Sequence, residues 1–129
     1  MSFEFFNNKG EFFKGNLHGH SNRSDGKLAP EEVCKAYIER GYDFISITDH
    51  FLKMFNYPIT LPKLKIKNFT VIPGAEVHTS KMENGELWHL LALGLSDKFS
   101  PPDQPNFLIN TKSENIESLS SRLLDAGAF

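Results

Sequence analysis

The five histidines and several carboxylates of this 129-residue chain fall in a pattern that could hold metal. His18-Gly19-His20 puts two imidazoles two residues apart. On a β-strand such positions share a face, so both rings could reach one ion. Two neighbouring histidines are a weak signal alone, but more donors follow. Ser21-Asn22-Arg23-Ser24-Asp25-Gly26 is a polar turn able to curl Asp25 back toward the strand end. Asp49-His50 closes a β-rich run, Glu76 comes two residues after Pro73-Gly74, and His89 lies in a further apolar run. Nitrogen and carboxylate donors without thiolate suit Zn, Mn or Fe, in an open site for more than one ion rather than a cysteine-caged structural zinc. Cys34 stands apart from the set, as a small buried hydrophobe on a helix.

Such donors must be delivered by a scaffold, and the chain alternates short apolar runs with amphipathic stretches in an α/β rhythm. Gly15 to His20 reads as a short strand. Pro30 to Arg40 reads as a helix, with proline at its first position, Glu31 and Glu32 at its positive end and Gly41 just past its end. Val33, Ala36, Tyr37 and Arg40 form its inward stripe, Arg40 snorkelling. Phe44 to Thr48 is a second strand, and Phe69 to Val77 a third, interrupted by Pro73-Gly74. Leu87 to Leu95 is a fourth, paired as a hairpin with Val77 to Lys81 across an Asn84-Gly85 turn. Phe51 to Lys67 reads as a loop with at most one short helix, and Ser96 to Asn110 as a second long loop. Thr111-x-x-Glu114 has capping-box form, and Ile116, Leu119, Leu123 and Leu124 follow at helical spacing until Gly127. In α/β sheets the carboxyl ends of the strands open onto the site, which is where these ligand-type residues fall.

Fourteen Lys+Arg against sixteen Asp+Glu give a formal net charge of −2. With no long block of either sign, an electrostatic footprint for duplex nucleic acid or an acidic membrane is absent. A single cysteine forms no internal disulfide. No stretch reaches the roughly 20 apolar residues of a membrane span or has the start of a signal peptide, and the setting expected is the reducing cytoplasm. Phe3, Phe5, Phe6, Phe12 and Phe13 crowd the lead-in, residues 1–13, as core or packing surface.

The order of these motifs resembles the PHP family (polymerase and histidinol phosphatase). The likeness runs through Leu17-His18-Gly19-His20-Ser21-x-x-Ser24-Asp25-Gly26, Pro30-Glu31-Glu32, Gly41-Tyr42-Asp43-Phe44-Ile45-Ser46-Ile47-Thr48-Asp49-His50, Pro73-Gly74-x-Glu76 and His89-Leu90-Leu91-Ala92-Leu93-Gly94. It begins near Lys14 and defines one domain over 14–129. The resemblance implies a distorted, TIM-like barrel of about seven β/α units with a two- or three-metal site at its mouth and phosphoester hydrolysis as the usual activity. It also implies that His18 and His20 bind a first metal, that Glu76 bridges the first and second, that His89 binds the second, and that Asp25 and His50 serve a third. A later His or Cys and an Asp-x-His of the family pattern are not in this sequence. The chain stops at Ala128-Phe129, where the rhythm would start another strand, so the expectation is the N-terminal portion of a longer protein, with the C-terminal part of the domain missing.

Four further groups carry weaker expectations. His78 has no family counterpart, and alternation from Glu76 gives it the right face but not the right distance for a ligand. Asp49 is read either as a carboxylate orienting an imidazole or as a cap on the strand-end turn. Arg23 is a candidate phosphate ligand, and Lys53, Lys63, Lys65 and Lys67 read as a solvated face rather than a basic rim. The chemistry expected is in-line attack at phosphorus by metal-activated water, with no serine or cysteine nucleophile and with His50 able to protonate the leaving oxygen. The substrate would be a small phosphate monoester, a nucleotide or a short oligonucleotide. Carboxyl or carbamate ester hydrolysis, and a non-catalytic metal-binding module, are the competing readings.

Overall fold

The computed structural model describes residues 10–64, 66–79, 87–99 and 116–129. Strands β1 (Gly15–Asn16), β2 (Phe44–Ile47), β3 (Thr70–His78) and β4 (His89–Leu93) form one sheet in that spatial order, with helices α1 (Pro30–Ile38) and α2 (Ile116–Asp125). β1, β2 and the first half of β3 run parallel, and β3 and β4 are antiparallel. This is a mixed α/β arrangement, consistent with part of a β/α barrel. Among the described residues no helix is long and apolar enough to cross a membrane.

The helix α1 forms where its signals predict. Glu32 accepts the Ala29 N–H at 2.8 Å, Pro30 opens the first turn, and Gly41 past its end takes φ 71°. Its buried residues are Pro30, Val33 and Cys34, of which Val33 and Cys34 pack on Ile45 and Ile47 of β2. Burial pushes the Cys34 thiol up, and the charge of Glu31 adds to this, so the thiol stays protonated. Arg40 is exposed, contrary to its expected place on the inward stripe, because α1 ends at Ile38 and its guanidinium turns back to the Ala36 carbonyl at 2.7 Å.

β3 is a single strand of nine residues, not two pieces broken at Pro73-Gly74. It changes partners there. Ile47↔Pro73 is the last pair of the β2 register, and Gly74↔Leu93 is the last pair of the β4 hairpin register. Pro73 contributes only its carbonyl, which accepts the Gly94 N–H at 2.7 Å, so its missing donor falls where the ladder to β2 stops. A Cβ on Gly74 would stand 2.6 Å from Ser46 Oγ and 3.0 Å from the Ala92 carbonyl, so the sheet closes over a position that only glycine fits. The hairpin register is Gly74–His78 against His89–Leu93, earlier on β3 than expected. The turn residues Asn84 and Gly85 lie outside the described residues.

Side-chain alternation divides the sheet. Ile45, Ile47, Ala75, Val77 and Ala92 are buried against the helices and loops, in clusters that include Val33 and Cys34 of α1 and Leu119 and Leu123 of α2. Ser46, Gly74, Glu76 and His78 fall on the opposite face. Leu124, at helical spacing with Leu119 and Leu123, is 66% exposed, because those two already fill the contact with Ala92, Leu95 and Phe99. Thr111-x-x-Glu114, the first Phe cluster (Phe3, Phe5, Phe6) and 100–110 lie outside the described residues, while Phe12 and Phe13 are exposed. Phe129 exchanges both main-chain hydrogen bonds with Leu93, at 3.1 and 2.7 Å, along the free edge of β4.

Replacing Gly74 by alanine is expected to lower stability by about 1–3 kcal/mol, since one neighbour of the added methyl is sheet main chain and the other, Ser46 Oγ, would have to give up its hydrogen bond to the Ile72 carbonyl. Urea unfolding of G74A against the unsubstituted protein measures this.

Candidate metal centre

The donors gather at the end of the sheet where β1, β2 and β3 finish and β4, running the other way, begins. β1 is only two residues long, so His18, Gly19 and His20 lie in irregular chain beyond it rather than on a strand face. Other bonds hold this segment in place. Thr48 N–H donates to the Gly19 carbonyl at 2.8 Å, and Thr48 Oγ1 lies 2.8 Å from His18 Nδ1. That contact leaves Nε2 as the ring nitrogen of His18 able to face an ion.

The turn after His20 closes on itself. Ser24 and Gly26 N–H groups both donate to the Ser21 carbonyl, at 3.1 and 2.9 Å. A Cβ on Gly26 would lie 2.6 Å from the His20 carbonyl oxygen, so glycine permits the tight closure. It returns Asp25 to the strand end, where Oδ1 is 2.6 Å from His20 Nδ1 and Oδ2 is 3.4 Å from His50 Nε2. The hydrogen bond from His20 is the main reason that the Asp25 carboxyl sits below its usual range, partial burial opposing it and the charges of His20 and His50 adding to it.

Asp49 fixes this turn to the sheet. Its side chain is fully buried and accepts from Ser21 N–H (2.7 Å), Ser21 Oγ (2.6 Å), Ser24 Oγ (2.7 Å) and Thr60 Oγ1. Among the described residues its hydrogen bonds go to this turn and to Thr60 rather than to an imidazole, so of its two expected roles the structure shows the cap on the turn. Its carbonyl accepts the Glu76 N–H at 3.0 Å, and Glu76 in turn accepts the Phe51 N–H at 2.9 Å, which sets His50 beside Glu76 as a parallel bridge.

Glu76 is the centre of the arrangement. It lies within β3, not after it, and is 5% exposed. Oε2 is 3.0 Å from both His20 Nε2 and His50 Nδ1, and Oε1 is 2.8 Å from His89 Nδ1. Two donors held about 2.1 Å from one ion at 90–110° stand about 3.0–3.4 Å apart, so these are the edge lengths of a coordination polyhedron. His20 Nε2 and Glu76 Oε2 are both buried and neither makes a well-formed hydrogen bond. Such atoms have lost water without gaining a partner, which a shared cation would correct. Three sets of donor atoms each lie within 4.8 Å of one another: His18, His20 and Glu76; His20, Asp25 and His50; and His50, Glu76 and His78. The residues present fit a divalent metal.

Of the expected ligands, His18, His20, Asp25, His50 and Glu76 come together in these sets, and His89 joins through Glu76 Oε1. His78, set aside in the sequence for want of reach, is 4% exposed with Nε2 3.0 Å from His50 Nδ1. Burial above all pushes its imidazole down to about 4, the neighbouring His89 adding and Glu76 opposing, so the ring is neutral near pH 7. Its signal was present as the i+2 spacing from Glu76; what the sequence hid was that His50 comes to meet it. Arg23 is exposed on the turn, its main-chain N–H donating to Ser21 Oγ at 3.1 Å. Lys53, Lys63 and Lys67 are exposed, and Lys65 lies outside the described residues.

A short mixed sheet whose mouth gathers His, Asp and Glu without thiolates defines a metal-binding α/β domain. The chain belongs to the PHP domain family, whose model matches residues 16–121. That family is in general hydrolytic and binds divalent metals. The chain is also similar to the DNA polymerase/3'-5' exonuclease PolX of Bacillus subtilis (strain 168), with 36% identity over 78 residues. That match takes in 50% of this chain but only 14% of the length of the relative.

Replacing Asp49 by asparagine puts an amide where four donors converge on a carboxylate. A loss of about 1–3 kcal/mol is expected, from the charge-assisted bonds weakened and from a donor now facing donors. Denaturant unfolding of D49N in chelator checks this apart from any effect of metal.

Proposed function

We propose that this domain is a metal-dependent phosphoesterase, acting on a small phosphate monoester or on nucleotide or oligonucleotide phosphoesters. The observation that carries the reading is the buried Glu76 carboxylate, met by imidazole nitrogens of three other chain segments at coordination-edge distances. The similarity to an enzyme named as a 3'-5' exonuclease supports phosphoester chemistry and, within it, nucleotide substrates. On this reading the sheet is the first part of a barrel of about seven β/α units, and Cys34, reduced and buried, suits the cytoplasm.

His18, His20, Asp25, His50, Glu76 and His89 would hold two or three divalent ions (Zn, Mn or Fe), with Glu76 able to bridge through its two oxygens. Such ions, when bound, lower the pKa of water and neutralise charge building on phosphoryl oxygens. The chain supplies the rest. Thr48 fixes the ring of His18 and Asp25 that of His20, so that the donors are oriented before any ligand arrives. The Nε2–H of His50, beside Asp25, is placed to give a proton to a leaving oxygen. Arg23, exposed on the turn that carries Asp25, would supply a guanidinium to a phosphate oxygen.

Hydrolysis of p-nitrophenyl phosphate or bis-p-nitrophenyl phosphate is expected to require added Mn²⁺ or Zn²⁺ and to stop on chelation. E76Q should lose at least about 100-fold in kcat/KM together with bound metal. Turnover of p-nitrophenyl acetate in preference to both phosphoesters would instead place the protein among carboxyl ester hydrolases. A protein that binds no divalent ion would exclude both.

A further inference from the structure

We propose that His78 is a further metal-binding residue of this centre, a seventh beside the six assigned above, which completes a donor set with His50 and Glu76. The inference rests on the reading of the centre as a metal site, and concerns which side chains of this chain enter it.

Three observations place His78 there. It is two residues after Glu76 on β3, so alternation puts both side chains on one face of the sheet, and both are buried. Its Nε2 lies 3.0 Å from His50 Nδ1, which is itself 3.0 Å from Glu76 Oε2. The three donor atoms lie within 4.8 Å of one another, the same closeness found for His18, His20 and Glu76. The two 3.0 Å separations at His50 Nδ1 are edge lengths of a coordination polyhedron with ligand bonds near 2.1 Å.

Ring orientation favours the set. A neutral imidazole has one lone pair on nitrogen to give. His50 can serve this set through Nδ1 or the set with His20 and Asp25 through Nε2, and the choice is decided by distance. Nδ1 has two donor atoms at 3.0 Å, whereas the nearest carboxylate oxygen to Nε2 is 3.4 Å away. With Nδ1 on the ion, the Nε2–H points at Asp25, the carboxylate–histidine–metal arrangement that holds a ligand ring in place. His78 packs against His89 across the hairpin, the ring centroids 4.3 Å apart at 74°, and its Nε2 faces His50 Nδ1 at 3.0 Å. Two imidazoles and one carboxylate suit Zn²⁺ best among the common ions, with Co²⁺ as its spectroscopic substitute.

The test compares H78A and H78Q with the unsubstituted protein, stripped with chelator and titrated with Co²⁺ while visible absorption and metal content are followed. The expected result is a loss of at least 10-fold in affinity for one equivalent of Co²⁺, with a change in the visible band of that equivalent, in both variants alike. Glutamine can accept a hydrogen bond from His50 but is a poor metal donor, so full recovery in H78Q would show that His78 only orients His50 and would overturn the proposal. Long-range proton–nitrogen correlation of the unsubstituted protein needs no variant to fold. On Zn²⁺ loading the Nε2 resonance of His78 should move to the metal-bound range, and an unmoved resonance would overturn the assignment. E76Q separates the two levels: metal lost in E76Q but kept in both His78 variants defeats this inference alone, whereas no uptake by the unsubstituted protein defeats the metal reading beneath it.

Discussion

A carboxylate taken out of water on the middle of a strand must be met by positive charge or by donors, or it will not stay charged. Glu76 imposes that demand on this fold. Its main chain is held on both flanks, by Asp49 and Phe51 on one side and by the β4 ladder on the other, so the carboxylate cannot swing out to solvent. The partners have to come to it. His20 arrives from the segment after β1, His50 from just past β2, and His89 from the start of β4. The pairing order of the sheet is therefore what makes four distant stretches of sequence into one site.

A second buried carboxylate lies one residue before His50, and the two are satisfied in opposite ways. Asp49 is met by one N–H and three hydroxyls from Ser21, Ser24 and Thr60, all of which remain neutral, and the result is a fixed turn. Glu76 is met by imidazoles, which can give a lone pair as readily as a proton. The first arrangement has its donors filled from within the chain and can only hold. The second leaves His20 Nε2 and Glu76 Oε2 without a sound hydrogen bond, and so keeps an affinity for something from outside. Asp49 thus does structural duty for the donors that Glu76 collects, since the turn it caps carries Asp25 and is anchored to His20.

The sequence made the donors legible because their types are rare and their surroundings specific: His18-Gly19-His20 before a polar turn, Asp49-His50 after a β-rich run, Glu76 after Pro73-Gly74. The helix α1 was legible because Pro30, Glu32 and Gly41 mark its ends locally. What failed was whatever depended on distant partners. β1 was expected to reach His20, but it can be a strand only where β2 lies beside it, and the paired residues are Gly15 and Asn16. Pro73-Gly74 looks like a strand break when read alone. It becomes a change of partner once β2 and β4 both contend for β3, with the proline's missing donor and the glycine's missing side chain each placed where the switch needs them. Arg40 departs from its expected place on the stripe of α1 for a similar reason, since helical spacing names a stripe but not how much of it the neighbours cover.

The reversal of β4 is the step that gives the centre its density. In a parallel sheet each strand brings one end to the mouth, and the next donor must wait for a whole helix to carry the chain back. An antiparallel hairpin brings the last residue of β3 and the first of β4 to the mouth together, as the directly opposed pair His78↔His89. Residues so opposed share a face and stand close enough for their rings to touch, so one antiparallel pairing delivers two imidazoles where a β/α crossover would deliver one. Counting back by two from His78 reaches Glu76 on the same face, and counting forward by two from His89 reaches Leu91, which is the residue paired with Glu76. The polar character of this face thus stops, on β4, at its first residue. β4 therefore adds its donor only at the mouth, where the imidazoles of His20, His50 and His89 close around the buried Glu76 carboxylate.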